Sequence, residues 1–177
     1  MTAIVVFDFE TSGLTLHPRA NLMVQPRAIE FGGLLLDDGK IIDELSMLIN
    51  PEQPVSEEIA KITGLSDSDL INQPTFVEVW PAIALLFTRA EGMIAHNLPF
   101  DRAVLTYELE RINTEFHHWP RPLCTAQLYQ ESFGRRLKLV ELYEEIMGKP
   151  LSQTHRASDD CRALAEIVIK ERLWEMI

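Results

Sequence analysis

Residues 4–13, IVVFDFETSG, run Ile4, Val5, Val6 and Phe7 straight into acid. β-Branched and aromatic residues favour a pleated, buried surface, so this run reads as a core strand. Asp8 and Glu10 stand at its end. Side chains two apart on a strand share a face, which sets two repelling carboxylates side by side where burial penalises charge. A solvated acidic turn would accommodate them. So would a site that supplies positive charge, and the rest of the chain has to decide between the two.

Strands and helices alternate along the sequence. Residues 3–9 read as the first strand and 28–36 as the second, separated by a long polar stretch over 15–26. Asp-Gly at 38–39 between two apolar runs is a hairpin signal, so 40–49 forms a third strand beside the second. A short helix follows Ser56 and stops at Gly64. Residues 75–89 read as a helix with Pro81 as an irregularity, and 92–97 as a short strand. Pro99 suits a first helical turn, and Phe100, Val104, Leu105, Leu109 and Ile112 follow near helical spacing. Residues 121–129 form a fifth strand leading into a helix. Another helix ends at Gly148, and 158–177 reads as one amphipathic helix. Strands feeding helices in this way predict an α/β or α+β layer. A chain of 177 residues without repeats or linker-like stretches is expected to be a single domain, 1–177.

The net charge of −11 argues against a broad electrostatic grip on nucleic acid. It leaves room for a small site that grips phosphate through metal ions. Arg135, Arg136 and Lys138 form the best small basic cluster, read chiefly as a solvated loop, with backbone contact as the alternative. Cys124 and Cys161 lack metal-ligand spacing, which points to a reduced, cytoplasmic setting. The N-terminus lacks the pattern of a secretory signal. Apolar runs such as AIALLF are too short to span a bilayer, so no membrane partner is expected.

Two later stretches repeat the opening oddity. Asp101 and Asp160 each fall in the first turn of a predicted helix. Either one alone is explained by the attraction of a carboxylate to a helix N-terminus. Together with Asp8 and Glu10 they make four acids, each where an apolar element begins or ends. If they meet, their repulsion demands cations. Two Mg²⁺ or Mn²⁺ ions would supply four positive charges, prefer oxygen ligands and suit phosphodiester hydrolysis. His155 precedes Asp160 by five residues, about 500° of helix, so on one helix the two would face apart. His155 is therefore expected in the loop before the helix, with residues 154–158 holding the cap. An unperturbed pKa of about 6.5 lets a neutral imidazole take a proton from an attacking water. His17, His96, His117 and His118 are read as solvated.

In order, FDFET, HNLPFD and HRASDD resemble the three exonuclease motifs of the DnaQ-like, DEDDh-type 3′–5′ exonucleases. AIEFGG and the stretch 49–70 are similar to that family's intervening segments. The resemblance covers most of the chain. It implies a ribonuclease H-like fold, with a mixed five-stranded sheet flanked by helices. It implies two divalent ions, Mg²⁺ or Mn²⁺, held by Asp8, Glu10, Asp101 and Asp160, with His155 as general base. Thr11 and Leu14 would meet the terminal nucleotide, Leu14 as a wedge, and Asn97 and Phe100 would line the same pocket. The implied activity is hydrolysis at the 3′ end of single-stranded DNA, or of RNA, to nucleoside 5′-monophosphates, with a polymerase or replisome as a possible partner. Competing expectations are an oligoribonuclease or RNA 3′-end trimming enzyme, a non-catalytic replisome interaction module on the same fold, and an internally cutting ribonuclease. The sequence departs from the family at Thr63, where many relatives carry histidine, and in the length of 15–26, which is read chiefly as a solvated loop, with a substrate- or partner-facing insertion as the alternative.

Overall fold

A computed structural model describes residues 3–152 and 155–177. Strands β1 (Ala3–Thr11), β2 (Ala28–Asp37) and β3 (Lys40–Leu48) pair antiparallel, and β4 (Gly92–Ala95) and β5 (Arg121–Cys124) add parallel beyond β1. The sheet order is β3-β2-β1-β4-β5. This is the mixed five-stranded sheet that the family resemblance implies. Asp38 and Gly39 both take positive φ, 46° and 74°, at the β2–β3 turn. Two successive positive φ angles match the twist of an antiparallel hairpin.

The connections carry α1 (Glu57–Thr63), α2 (Asp67–Leu70), α3 (Phe76–Thr88) and α4 (Leu98–Arg111). They continue with α5 (Thr125–Leu128), α6 (Gln130–Phe133), α7 (Leu139–Met147) and α8 (Ala157–Lys170). The ends follow local chemistry. Ser56 Oγ accepts from the Ile59 amide at the start of α1, and Gly64 closes that helix at φ 71°. Glu78 accepts from both the amide and the hydroxyl of Thr75 at the start of α3. That helix continues through Pro81, which removes one backbone donor from it.

Alternation along β1 splits the core between the two sheet faces. Val5, Phe7 and Phe9 join Phe76, Ile83 and Phe87 of α3 and Val104 and Leu105 of α4. Ile4 and Val6 point the other way, with Leu142 of α7 and Cys161, Leu164 and Ile167 of α8. Asp8 and Glu10 continue this second set, so the strand's pleat turns both acids towards α8.

Four expectations need correction. The last segment is not one helix: α8 stops at Lys170, Arg172 takes φ 53°, and Leu173–Met176 forms a 3₁₀ turn that buries Leu173 and Trp174 on the second core. The stretch 15–26 is not simply solvated. It contains a 3₁₀ turn at Leu22–Val24, and Arg111 donates to the carbonyls of Leu22, Gln25 and Pro26. His96 is half-buried rather than solvated. Finally, Arg156 occupies the position before α8 with no side-chain cap, and Thr154, expected to share that cap, lies outside the described residues.

Candidate active site

Strand β1 runs beside β4 only from Ile4 to Val6. Beyond Val6 the chain that left β4 has turned into α4, and the first turn of α4 takes over the strand's edge. There Asp101 Oδ1 accepts from the Phe9 amide at 3.1 Å. This bond joins residues 92 apart and brings a buried carboxylate next to Asp8.

Helix α8 approaches from the opposite sheet face. Its first turn rests on β2 at Gly32, where an added Cβ would lie 2.5 Å from the Ala157 carbonyl oxygen. Only glycine permits so close an approach. Cys161 Sγ donates to the Gly32 carbonyl at 3.1 Å. Seated in this way, α8 delivers Asp160 to the end of β1. Carboxylate oxygens of Asp8, Glu10 and Asp160 lie within 4.8 Å of one another. Asp101 is not one of this trio, but the Asp8 charge acts on it.

The electrostatics record the crowding. Burial, with Asp160 and Glu30 beside it, pushes the Asp8 carboxyl up to about 8. Burial and then Asp8, Asp160 and Glu30 push Glu10 up to about 9, opposed in part by Arg156. Burial and then Asp8 hold Asp101 well above the ordinary carboxylate range, against the pull of the Phe9 amide. Carboxylates raised by one another accept cationic charge readily. Three hard oxygen donors within 4.8 Å suit Mg²⁺ or Mn²⁺ rather than a soft metal. The donor set therefore fits a hard divalent cation.

Asp8, Asp101, Asp160 and His155 all line one cleft of about 660 Å³. His155 lies in the segment before α8, as its spacing from Asp160 requires, and is exposed with φ 51°. Asn97 and Phe100 line the same cleft. Thr11 and Leu14 do not: Thr11 is buried and its hydroxyl donates to the Gly13 carbonyl at 2.6 Å, while Leu14 is 81% exposed. Thr63 is buried, its hydroxyl donating to the Ile59 carbonyl and accepting from the Leu65 amide.

The basic cluster divides. Arg135 pairs bidentately with Glu141, whereas Arg136 and Lys138 line the cleft. Arg136 donates to Asn97 Oδ1 at 3.1 Å across it.

Two residues near the site escaped the sequence reading. Glu30 is 1% exposed, faces Glu10 in the β1–β2 register and is held by Arg156. Its signal was a lone acid inside the apolar run AIEFGG. His96 bridges Thr125 Oγ1 through Nδ1 and the Leu137 carbonyl through Nε2, each at 3.0 Å. A carbonyl only accepts, so Nε2 carries the hydrogen. Burial pushes the imidazole pKa down, which favours the neutral ring. His96 thereby ties the cleft wall to the end of β4.

A family model described as Exonuclease (RNase_T) matches residues 5–168. The chain is 30% identical over 176 residues to a DNA polymerase III PolC-type protein of Caldanaerobacter subterraneus subsp. tengcongensis, covering 97% of this chain and 12% of that protein. It is 29% identical over 167 residues to a DNA polymerase III subunit epsilon of Treponema pallidum, covering 93% of this chain and 74% of that subunit. The chain thus spans about an eighth of the PolC-type relatives that it matches. Its fold is similar to the nuclease domain of 3′hExo, a DEDDh family member bound to rAMP, with a TM-score of 0.77, 16% identity and coverage of 97% and 92% of the two chains. Among the described residues, no helix is long and apolar enough to cross a membrane. With the family model matching nearly its whole length, the chain belongs to the RNase_T exonuclease family, the DnaQ-like 3′–5′ exonucleases of the ribonuclease H-like superfamily.

Proposed function

We propose that this chain hydrolyses the 3′-terminal phosphodiester of single-stranded nucleic acid, DNA in preference to RNA, and releases nucleoside 5′-monophosphates. One observation carries the reading: Asp8, Glu10 and Asp160 meet within 4.8 Å beside a cleft that Asp101 and His155 also line.

In this reading Asp8, Glu10, Asp101 and Asp160 hold two Mg²⁺ or Mn²⁺ ions, whose charge neutralises the phosphate and favours an in-line displacement. His155 takes the proton of the attacking water as its oxygen bonds to phosphorus. The P–O3′ bond breaks, its electron pair leaves with O3′, and O3′ takes up a proton from solvent water. The shortened strand keeps a 3′-hydroxyl and the released nucleotide carries the 5′-phosphate. Phe100 offers an aromatic face on which a base stacks without being read, and Asn97 meets the same terminal nucleotide. Thr11 holds the turn that presents Leu14, and the exposed Leu14 wedges against the terminal base. Arg136 and Lys138 contact the phosphates upstream of the scissile bond.

Likeness to PolC-type and epsilon proteins favours a DNA 3′ end and a polymerase partner in the cytoplasm. RNA 3′-end trimming is the second reading, favoured by the fold shared with an exonuclease bound to rAMP. A non-catalytic module has no use for three converging carboxylates.

The test is digestion of matched 5′-labelled DNA and RNA strands of graded length in Mg²⁺, with a circular strand alongside. We expect stepwise shortening from the 3′ end, faster on DNA, and an intact circle. Cutting of the circle would overturn the exonuclease reading, and metal-dependent loss of RNA alone would select the trimming enzyme. Inertness on every strand would leave the interaction module.

A further inference from the structure

We propose that Arg156 is a positioning residue, clamped by Glu30 so that the backbone next to it aims His155 into the cleft. The proposal rests on the reading of His155 as general base.

Glu30 is a charged side chain on a core strand, 1% exposed and facing Glu10. It is not one of the three acids that converge. Arg156 holds it instead, Nε to Oε2 at 3.0 Å and Nη2 to Oε1 at 2.9 Å. The Ala157 amide donates to the same carboxylate at 3.2 Å. Two parallel guanidinium bonds fix a plane as well as a distance. A buried carboxylate that accepts them both, and a backbone amide too, has no alternative partner in water.

The neighbouring geometry shows what this clamp can hold. Residues 157 and 158 lie against Gly32 so closely that a methyl group there would meet both their backbones. Arg156 and the start of α8 are thus tied to β2 by contact and by charge. His155 directly precedes Arg156, with φ 51°. That left-handed conformation is strained for any residue with a Cβ. Such backbone persists where its surroundings over-determine it. On the helix side, the surroundings are Arg156 and its clamp. The imidazole is exposed in the cleft and needs an anchored backbone to keep its aim.

Arg156 also lies near Glu10, so its charge acts on the metal-binding acids. Arg156→Lys separates the two roles, since it keeps the charge and loses the fork. We expect Arg156→Lys to lower kcat about ten- to a hundredfold, with KM and the half-saturating Mn²⁺ concentration unchanged within about twofold. Combined with His155→Ala, Arg156→Lys should add less than about twofold further loss. Multiplying losses in the double variant, or a single variant as fast as the parent, overturns the clamp while the base reading stands. A fully active His155→Ala overturns the base reading itself and the clamp with it. Thermal unfolding checks that each variant folds. If Arg156→Lys fails to fold, Glu30→Gln goes through the same cycle with kcat read at saturating Mn²⁺, because its lost charge also acts on Asp8 and Glu10; less than about twofold further loss on adding His155→Ala is expected, and multiplying losses overturn the clamp.

Discussion

Asp8 lies on the core strand β1, and burial, then Asp160 and Glu30 beside it, push its carboxyl up to about 8. Its charge is unfavourable to the fold unless a cation answers it. Asp8→Asn keeps the shape and removes the charge. Calorimetry without divalent ions should therefore find a higher thermal midpoint than in the parent, and added Mn²⁺ should no longer raise it. Cleavage should be lost together with that response. A variant that Mn²⁺ still stabilises as much as the parent would remove Asp8 from the ligand set. His155 makes the opposite prediction. His155→Ala should keep the Mn²⁺ response and lose about 10²–10⁴-fold in kcat, the usual contribution of a general base. Single-turnover rates at saturating Mn²⁺ measure it.

Helix α8 depends on a strand residue with no side chain. Gly32→Ala places a methyl group 2.5 Å from the Ala157 carbonyl oxygen, and backbone cannot give way as a side chain does. Overpacking of this kind costs about 1–3 kcal/mol. The same shift lifts Asp160 away from Asp8, so activity should fall further than stability alone accounts for; urea unfolding and kcat compare the two. A second element-scale dependence lies under 15–26. Arg111 donates to three carbonyls of that stretch and pairs with the buried Glu108 at 2.9 Å. Arg111→Met should cost about 1–3 kcal/mol, as when buried acceptors lose their donor, because Glu108 keeps Arg27 and the Ala28 amide. It should also open 15–26 to proteolysis, mapped by mass spectrometry; protection equal to the parent's would show that the stretch holds itself. The sequence indicated neither dependence. Glycine in AIEFGG is consistent with many causes, and the partners of Arg111 lie 85–89 residues away. The hairpin at 37–40 and the stops at Gly64 and Gly148 were legible because their causes lie within a few residues. The last helix was misread because its apolar pattern continues through Leu173 and Trp174, whereas the backbone turns at Arg172 to bury both.

The acids also set how the whole protein responds to pH. Asp8 and Glu10 have folded-state pKa values of about 8 and about 9, above the unfolded values near 4. The native state therefore keeps protons that the unfolded chain releases. The stability these groups contribute is full below about pH 4 and is lost as pH rises through about 8 and 9. The metal-free thermal midpoint should fall between about pH 5 and pH 9. Saturating Mg²⁺ should flatten that fall, and the gap between the two curves should widen with pH. Metal-free and Mg²⁺ curves that run parallel over this range would refute the linkage between these acids and the ions.

By itself the sequence determined the strands, the hairpin, the order of the three acidic motifs and the placement of His155 ahead of its helix, because each follows from residues within one or two turns of chain. Periodicity shows which face of an element is buried but not which other element covers it. Only the tertiary structure decided that Asp101 reaches Phe9 across 92 positions, that Asp160 joins Asp8 and Glu10 within one cluster, and that Glu30 is held by Arg156 across 126. Those contacts depend on strand order and on the fit of α8 against Gly32, which no short stretch of the chain encodes.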